Sequence, residues 1–161
     1  MSGFENMIPG SGKNGFLDQL PTNSFALSID QVELGTFQTC SGLNLEFEVI
    51  TQKQSDSKGK MQYISVPGTP KFNPITLKHA MSSSTSLYNW YLEVEQGKIA
   101  TARKNATVTV YGPEGTIVEE WKFKNAWPSS WKTADLDATS DAIMTEEITF
   151  QHEGVTRNRA K

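Results

Sequence analysis

The sequence has few residues of the kinds that build catalytic or metal sites. It contains one cysteine, Cys40, and two histidines, His79 and His152, among 161 residues. Zinc sites use Cys, His, Asp or Glu ligands at short paired spacings, and a catalytic Ser or Cys needs a histidine base. Neither arrangement is visible, and no G-x-S-x-G motif is present. We therefore predict no enzyme activity, no metal and no cofactor, with Cys40 in the core or a turn and both histidines at the surface or at strand ends.

Other absences narrow the class of protein further. The formal charge of −3 argues against a domain whose main task is to bind nucleic acid. No run of about 18 apolar residues exists, so we expect no membrane span. The opening stretch, MSGFENMIPGSGKNGFLDQL, lacks the charged start and apolar middle of a signal peptide. We expect synthesis in the cytoplasm without such a signal.

Alternation of apolar and polar residues dominates the chain after the opening segment. In MTEEITFQHE, for example, Met144, Ile148 and Phe150 share a face with Glu146. The same period appears in FALSI, NLEFEVI, QYISVP, PITLKH, ATVTVYG and TIVEEWKFK. Gly, Pro and Ser clusters at 41–42, 67–68, 112–115 and 128–130 indicate turns. The pattern predicts a mainly β, antiparallel domain of about seven or eight strands.

One segment, SSSTSLYNWYLEVEQGK, has a helical period instead. Its apolar stripe follows the spacing i, i+3, i+4, i+7 and consists of Leu87, Trp90, Tyr91 and Val94. Ser82, Ser83 and Ser84 offer N-caps, and Gly97 suits the position just after the last turn. The stripe must lie on something apolar, so we predict one helix packed on the open face or end of the β layer.

Two segments fit neither period. Residues 1–22 hold glycines and prolines without a steady pattern, so we predict a flexible N-terminal arm, a β domain at 23–156 and a C-terminal tail at 157–161. The stretch TQKQSDSKGKMQ, at 51–62, joins two good strands but exceeds the usual hairpin loop. It is either a mobile surface loop or an extended arm that orders against a neighbouring subunit.

The stretch KNAWPSSWK raises a separate question. Trp127 and Trp131 flank Pro128, and the residues between them suggest a turn. Aromatic residues at strand ends can stack on sugars, so a β-sandwich carbohydrate-binding or adhesin module using both tryptophans is an alternative function. More often such residues fill the end of a core or an interface. We interpret Trp127 as closing the end of the β core.

The order of these motifs along the chain resembles one known family. VELGTFQTCSGL, LEFEVI, VPG, NPITLKHAM, LYNWYLEV, ATVTVYGPEGTIVEEWKFKNAWPSSW, ADLDATSD and EEITFQHEG occur in succession over residues 21–155. Together they resemble the inner-tube (tail-tube, Hcp-like) proteins of contractile phage tails and extracellular contractile injection systems. The chain departs from the common pattern at His79 and Ala80, where many relatives have Arg-Gly.

The resemblance implies an antiparallel two-sheet β barrel with one packed α-helix, assembled into hexameric rings. The rings would stack into a hollow tube inside a contractile sheath, which drives the tube through a target envelope. Implied partners are further copies of the chain, sheath subunits, baseplate and terminator or cap proteins, and effector cargo or DNA in the lumen. The particle could be cytoplasmic, membrane-anchored or released, and the chain itself would not span a membrane.

The resemblance also assigns roles to residues. Contacts to the neighbouring ring are expected from the polar stretch Gln52, Lys53, Gln54, Ser55, Asp56, Ser57, Lys58, Gly59 and Lys60. Core or interface positions are expected around the tryptophan turn, at Trp121, Asn125, Trp127, Pro128, Trp131, Asp135 and Asp137.

Overall fold

The computed structural model describes residues 24–81, 83–139 and 141–160, and this part of the chain forms ten strands and two helices. The strands are β1 (Ser24–Ile29), β2 (Val32–Phe37), β3 (Thr39–Ser41), β4 (Leu45–Ser55), β5 (Met61–Phe72), β6 (Ile75–Ala80), β7 (Lys104–Tyr111), β8 (Ile117–Thr133), β9 (Thr145–Gln151) and β10 (Gly154–Arg159). The helices are α1 (Ser86–Glu95) and α2 (Ile99–Ala102). Neither helix of the described ranges is long and apolar enough to cross a membrane. The predicted arm at 1–22 lies outside the described residues.

The long strand β8 belongs to two antiparallel sheets. Its first half pairs with β7 on one side and β10 on the other, and its second half pairs with β9. One sheet therefore has the order β2-β1-β7-β8-β10, and the other has the order β8-β9-β6-β3. The predicted mainly β, antiparallel class is confirmed. Strands β4 and β5 form a separate two-stranded sheet, here called the β4–β5 hairpin.

The core cluster combines inward-facing residues of both sheets and of α1. It includes Leu27, Val108, Phe123, Ile75, Leu77, Ile148, Phe150, Leu87 and Trp90. The Phe123 and Phe150 rings meet edge to face at 5.3 Å, and the Trp90 ring lies 6.0 Å from Phe150. Full burial of each large apolar side chain contributes about 1.5–3 kcal/mol. These contacts join the two sheets to the helix.

Helix α1 occurs where the apolar stripe predicts it. Leu87 and Trp90 are buried, and Tyr91 and Val94 are half-buried. The indole N–H of Trp90 donates to the carbonyl of Ala102 at 2.8 Å, which ties α1 to α2. The single turn of α2 was not predicted, since four residues are too few to show a period.

The helix ends agree with the sequence only in part. Gly97 has φ of +77° just after the last turn, as predicted. The helix begins at Ser86 after Thr85, and no side chain caps it, so the predicted caps Ser83 and Ser84 are wrong. Ser82 lies outside the described residues. The Ser84 hydroxyl instead bonds the hydroxyl of Ser86 at 3.0 Å.

Two predicted turns are β-bulges inside long strands. Residues 67–68 lie in β5 and residues 128–130 lie in β8, and the pairing register shifts beside each. Pro128 has no N–H to donate, and a bulge is one of the few places within a sheet that accept such a residue. The predicted tail at 157–161 is also wrong in part, because residues 157–159 pair with β8 as the end of β10.

Candidate assembly surfaces

The β4–β5 hairpin is longer than the sequence predicts. Its strands have 11 and 12 residues and pair from Leu45↔Phe72 to Ser55↔Met61. Backbone pairing continues through the polar residues of 51–55, so the interpretation of 51–62 as a mobile loop is wrong. An extended arm is present, and its contact with a neighbouring subunit stays a prediction.

The turn of this hairpin, residues 56–60, is held by local hydrogen bonds. The Asp56 carboxylate accepts the N–H groups of Lys58 at 2.9 Å and Lys60 at 2.8 Å. The Asp56 N–H donates to the Lys60 carbonyl at 2.9 Å, and Gly59 adopts φ of +77°. An Asp side chain that bonds its own turn is a common way to fix such a tip. The predicted ring-contact residues therefore lie on the end of β4 and on a preorganised turn.

Large apolar side chains cover the hairpin but remain in solvent. Those at least one-third exposed are Leu45 (63%), Phe47 (58%), Val49 (68%), Ile50 (44%), Met61 (56%), Tyr63 (67%), Ile64 (40%) and Phe72 (38%). No residue of β4 or β5 is buried. Exposed apolar patches of this kind mark interaction surfaces, and a lone two-stranded hairpin is marginally stable in water.

Both faces of the hairpin carry apolar residues. Directly paired residues share a face, and Val49 pairs with Pro67 while Ile50 pairs with Val66. Alternation then places Tyr63 and Met61 with Val49, and Ile64 with Ile50. A hairpin with one solvent face would be polar on that side. This one offers an apolar surface in both directions.

The alternation of β8 reverses at Asn125. Phe123 is buried before it and Ala126 is buried after it, although these positions differ by an odd number of residues. Asn125 has φ of +49°, a left-handed conformation that Asn adopts more readily than most residues. Its amide donates to the Glu153 carboxylate at 2.7 Å. The half-buried Trp121 lies on the inward face before this reversal.

A second reversal follows at the Pro128 bulge. Pro128 pairs with Phe150 and is fully buried, whereas Trp127 pairs with Gln151 on the opposite face and is half-buried. Beyond the bulge Trp131 pairs with Ile148 and packs against the core. The interpretation of Trp127 as the core plug is therefore wrong, and Pro128 occupies that place. Because the two tryptophans face opposite sides of the sheet, they do not form one stacking platform.

A buried polar cluster joins the second sheet to α1. Glu146 is 3% exposed, and one of its carboxylate oxygens meets His79 Nε2 at 2.8 Å. The other oxygen accepts the indole N–H of Trp131 at 2.6 Å. The Trp131 ring lies 4.8 Å from the ring of Tyr88 on α1. Both carboxyl oxygens are thus paired, as a buried polar group requires.

Of the two predicted places for His79, the surface and a strand end, the first is wrong, and the residue is the second-last of β6. It is 8% exposed and lies directly across from Glu146 in the β6–β9 pair. A signal for this was present, because His79 continues the inward row of Ile75 and Leu77. Within the described residues, no group of three or more His, Cys, Asp or Glu could hold a metal ion.

His152 and Cys40 are also partly enclosed. His152 bonds the carbonyl of Asn73 at 3.0 Å, and its ring lies 4.8 Å from Phe123 and 5.5 Å from Phe72. Burial is the main cause that lowers the pKa of His152. This residue directly follows β9, so it lies at a strand end, one of the two places predicted for it, but it is half-buried. Burial raises the pKa of the Cys40 thiol to about 11, so this half-buried residue of β3 is protonated at neutral pH and a poor nucleophile.

Asp135 and Asp137 lie on an exposed connection between β8 and β9. The Asp137 carboxylate accepts the hydroxyl of Thr139 at 2.7 Å and its N–H at 2.9 Å, and these bonds lower the pKa of Asp137. Leu136 and Ile143 of the same connection are each 75% exposed. The two aspartates are therefore separate from the core positions grouped with them in the sequence.

Comparison with known proteins identifies the family. The family of the T4-like virus tail tube protein gp19 matches residues 21–156. Among solved structures, the sheath-tube complex of the extracellular contractile injection system PVC in its extended state aligns with a TM-score of 0.69 and 24% identity, covering 88% of this chain and 93% of that one. The tube terminating cap of the anti-feeding prophage gives 0.69 and 24%, covering 88% and 92%. The anti-feeding prophage baseplate gives 0.69 and 15%, covering 89% and 99%.

No curated protein sequence matches the chain. The similarity to the solved structures establishes a shared fold, and the family match spans nearly all of the described residues. The resemblance noted in the sequence is thereby confirmed. The chain belongs to the T4-like virus tail tube protein gp19 family.

Proposed function

We propose that this chain assembles into hexameric rings that stack into a hollow tube. The β4–β5 hairpin is the observation that carries the proposal. Its apolar side chains are exposed in the single chain, and each would contribute on the order of 1.5–3 kcal/mol when fully buried. In a tube each subunit is surrounded by further copies of the same chain, and these copies would cover the apolar side chains of the hairpin.

The geometry of the hairpin suits a contact that repeats around a ring. Apolar residues on both faces fit a segment that lies between surfaces of two neighbours. A contact between two different surfaces of identical chains closes into a ring by rotation, or continues as a stack by translation. We assign the contact between subunits of the same ring to the apolar part of the hairpin.

The second kind of contact, between rings, is assigned to residues 52–60. Their turn is preorganised by Asp56, so little conformational entropy would be lost when it docks. The stretch also carries Lys53, Lys58 and Lys60, which can pair with acidic side chains of the next ring. The proposed contact between rings thus has a physical basis, because residues 52–60 form a basic tip whose turn is held by hydrogen bonds.

Within each subunit, we propose that the two sheets close into a barrel. Strands β2 and β3 lie at the two ends of the strand path but follow each other directly in the chain. The N–H of Gln38, between them, donates to the Lys78 carbonyl of β6 at 2.9 Å. Closure at this point would remove two open sheet edges.

The proposed partners follow from the structures that share the fold. These come from a sheath-tube complex, a tube terminating cap and a baseplate. We assign to this chain a contractile sheath outside, a terminator and a baseplate at the tube ends, and effector cargo or DNA in the lumen. The role is structural and without catalysis, in a particle that is cytoplasmic, membrane-anchored or released.

Electron microscopy with size-exclusion light scattering tests the proposal. The unmodified chain is expected to form sixfold rings or stacked tubes, with baseplate components added where nucleation requires them. The double variant Val49→Lys/Tyr63→Lys places two charges on one hairpin face and should remain monomeric. Ile117→Lys is the matched control, because Ile117 is also exposed (46%) but lies outside the hairpin.

The control variant should form the same rings as the unmodified chain. Unchanged assembly of Val49→Lys/Tyr63→Lys would show that the hairpin is not the contact. An unmodified chain that stayed monomeric even with baseplate components would overturn the ring itself.

A further inference from the structure

The segment that joins β8 to β9 carries exposed apolar side chains outside the hairpin. It is here called the β8–β9 connection, and the structure describes its residues 134–139 and 141–144. Leu136 and Ile143 are each 75% exposed, and Met144 is 36% exposed. Several exposed apolar side chains on one short connection indicate a contact surface.

The same connection is acidic. Asp135, Asp137 and Asp141 are all exposed, and no lysine or arginine occurs between Lys132 and Arg157. None of these aspartates forms an ion pair within the described ranges. A partner that covers the connection should therefore combine positive charge with an apolar group.

The hairpin tip, residues 52–60, has this complementary character. Lys58 and Lys60 are exposed, and neither forms an ion pair within the part of the chain that the structure describes. The Asp56 carboxylate accepts their backbone N–H groups, so both ammonium groups stay available. Met61, directly after the tip, is 56% exposed. Its unbranched side chain adapts readily to an irregular apolar surface.

The hairpin and the connection lie at opposite ends of the second sheet. Strand β6 runs from Ile75, which pairs with Phe150, to Ala80, which pairs with Thr145. The hairpin joins the sheet at the Ile75 end, because β5 precedes β6 directly and β3, which precedes β4, ends on that side. The connection closes the other end, where the N–H of Ala134 donates to the Thr145 carbonyl at 2.9 Å.

This arrangement favours a contact between copies. The six residues of β6 separate the two ends of the sheet by about 20 Å. No residue of β4 or β5 is buried, so the hairpin does not pack along its own sheet. Two copies displaced along the strand direction of β6 bring the connection of one toward the hairpin of the other.

We propose that the β8–β9 connection of one copy receives the hairpin tip of a copy in the next ring. The inference rests on the proposed stack of rings and names the surface that completes its inter-ring contact. The aspartates of the connection pair with the lysines of the tip, and its exposed apolar side chains cover Met61. Charge and apolar surface are then complementary on both sides of the contact.

The same charges fix the direction of stacking. Two acidic connections repel each other, and so do two basic tips, so only the contact of a tip with a connection is favourable. Such a contact joins two different surfaces of identical chains and repeats by translation. Every ring of the stack should therefore point the same way.

Carbodiimide cross-linking tests the contact in whatever assembly the full chain forms, because the reagent joins a carboxylate to an amine beside it. Isotope-labelled and unlabelled chains assembled together separate links between copies from links within one chain. Mass spectrometry should find links between copies that join Lys58 or Lys60 to the aspartates of the connection. Links confined to other residues, or links only within one chain, would overturn the proposal.

Charge reversal tests the pairing itself. Lys58→Glu/Lys60→Glu reverses the tip, Asp135→Lys/Asp141→Lys reverses the connection, and the combination of all four substitutions restores opposite charges. The combined variant also has the net charge of the unmodified chain, so it controls for net charge.

Electron microscopy gives the readout for these variants. Each double variant should form rings that no longer stack, and the combined variant should stack again. The matched control is Glu95→Lys/Glu114→Lys, since both glutamates are exposed and lie outside the two surfaces, and it should stack like the unmodified chain. Normal stacking of Asp135→Lys/Asp141→Lys, or unstacked rings of the combined variant, would overturn the proposal.

Two results separate this inference from the proposed rings. Sixfold rings that stack without links between tip and connection would contradict the inference and leave the ring proposal in place. Links between tip and connection of different copies, in an assembly without sixfold symmetry, would support the inference and contradict the ring.

Discussion

Strands β7 and β4 have the same apolar alternation but opposite surroundings. The inward residues of β7, Ala106, Val108 and Val110, are at most 5% exposed. The corresponding residues of β4, Leu45, Phe47 and Val49, are 58–68% exposed. β7 lies between two strands of a sheet with a second sheet beneath it, whereas β4 has one neighbour, β5.

This contrast separates a region whose apolar side chains are buried within the chain from a region whose apolar side chains are exposed. The two-sheet core gains its stability from contacts within the chain. The hairpin keeps its shape through backbone pairing and the Asp56 turn, and its apolar side chains gain little until another surface covers them. Substitutions in the two regions should therefore affect different properties.

The largest expected difference in the free energy of unfolding is between alanine variants of two phenylalanines, one in the core and one in the hairpin. Phe150→Ala should lower the free energy of unfolding of the monomeric chain by about 3–5 kcal/mol, because it leaves a cavity in the core. Phe47→Ala should change it by less than about 0.5 kcal/mol, because Phe47 is in solvent, yet it should weaken assembly. Urea unfolding at monomeric concentrations measures the first effect and light scattering the second. A comparable loss of stability in Phe47→Ala would mean that the hairpin packs on its own subunit.

A smaller difference in stability is expected between alanine variants of two glycines that both have positive φ. A Cβ at Gly42 would lie 2.0 Å from the Pro74 carbonyl oxygen, whereas a Cβ at Gly59 in the hairpin turn meets nothing within 4 Å. Gly42→Ala combines backbone strain with a clash and should cost about 3 kcal/mol. Gly59→Ala should cost about 1 kcal/mol from strain alone. Thermal unfolding of both variants tests this, and equal shifts would contradict the close packing at Gly42.

The smallest expected effect is on the pH dependence of stability, and it comes from His152, which lies between the core and the hairpin. His152 touches Phe123 of the core and Phe72 at the base of the hairpin, and burial holds the pKa of His152 below its ordinary value of 6.5. The unfolded chain then binds the proton more readily than the folded one. The stability contributed by neutral His152 is present above pH 6.5 and is lost as pH falls through its lower folded pKa.

The variant His152→Gln isolates this contribution. Its stability should change less between pH 7.5 and pH 5 than that of the unmodified chain, as measured by urea unfolding at each pH. Equal pH dependence of the two proteins would show that His152 is not the group responsible.

Much of the fold was predictable because local pattern and final structure agree. The inward rows of β6, β7 and β9 bury the residues that the alternation indicates, and the stripe of α1 buries Leu87 and Trp90 fully and its other two residues in part. The family could be identified from the order of motifs alone. Failures occurred where one residue changes the pattern: left-handed Asn125 and the Pro128 bulge each reverse the alternation of β8, which moved Trp127 out of the core and Pro128 into it.

The sequence by itself determined the antiparallel β class, the position of α1 and the family, because these depend on periods and motif order within short segments. Tertiary structure alone decided two other features: that residues 51–55 and 61–62 extend a hairpin, and that His79 and Trp131 meet Glu146. Each of these depends on which distant backbone or side chain comes within hydrogen-bonding distance. Such distances are set by the packing of the whole chain, and no local pattern records them.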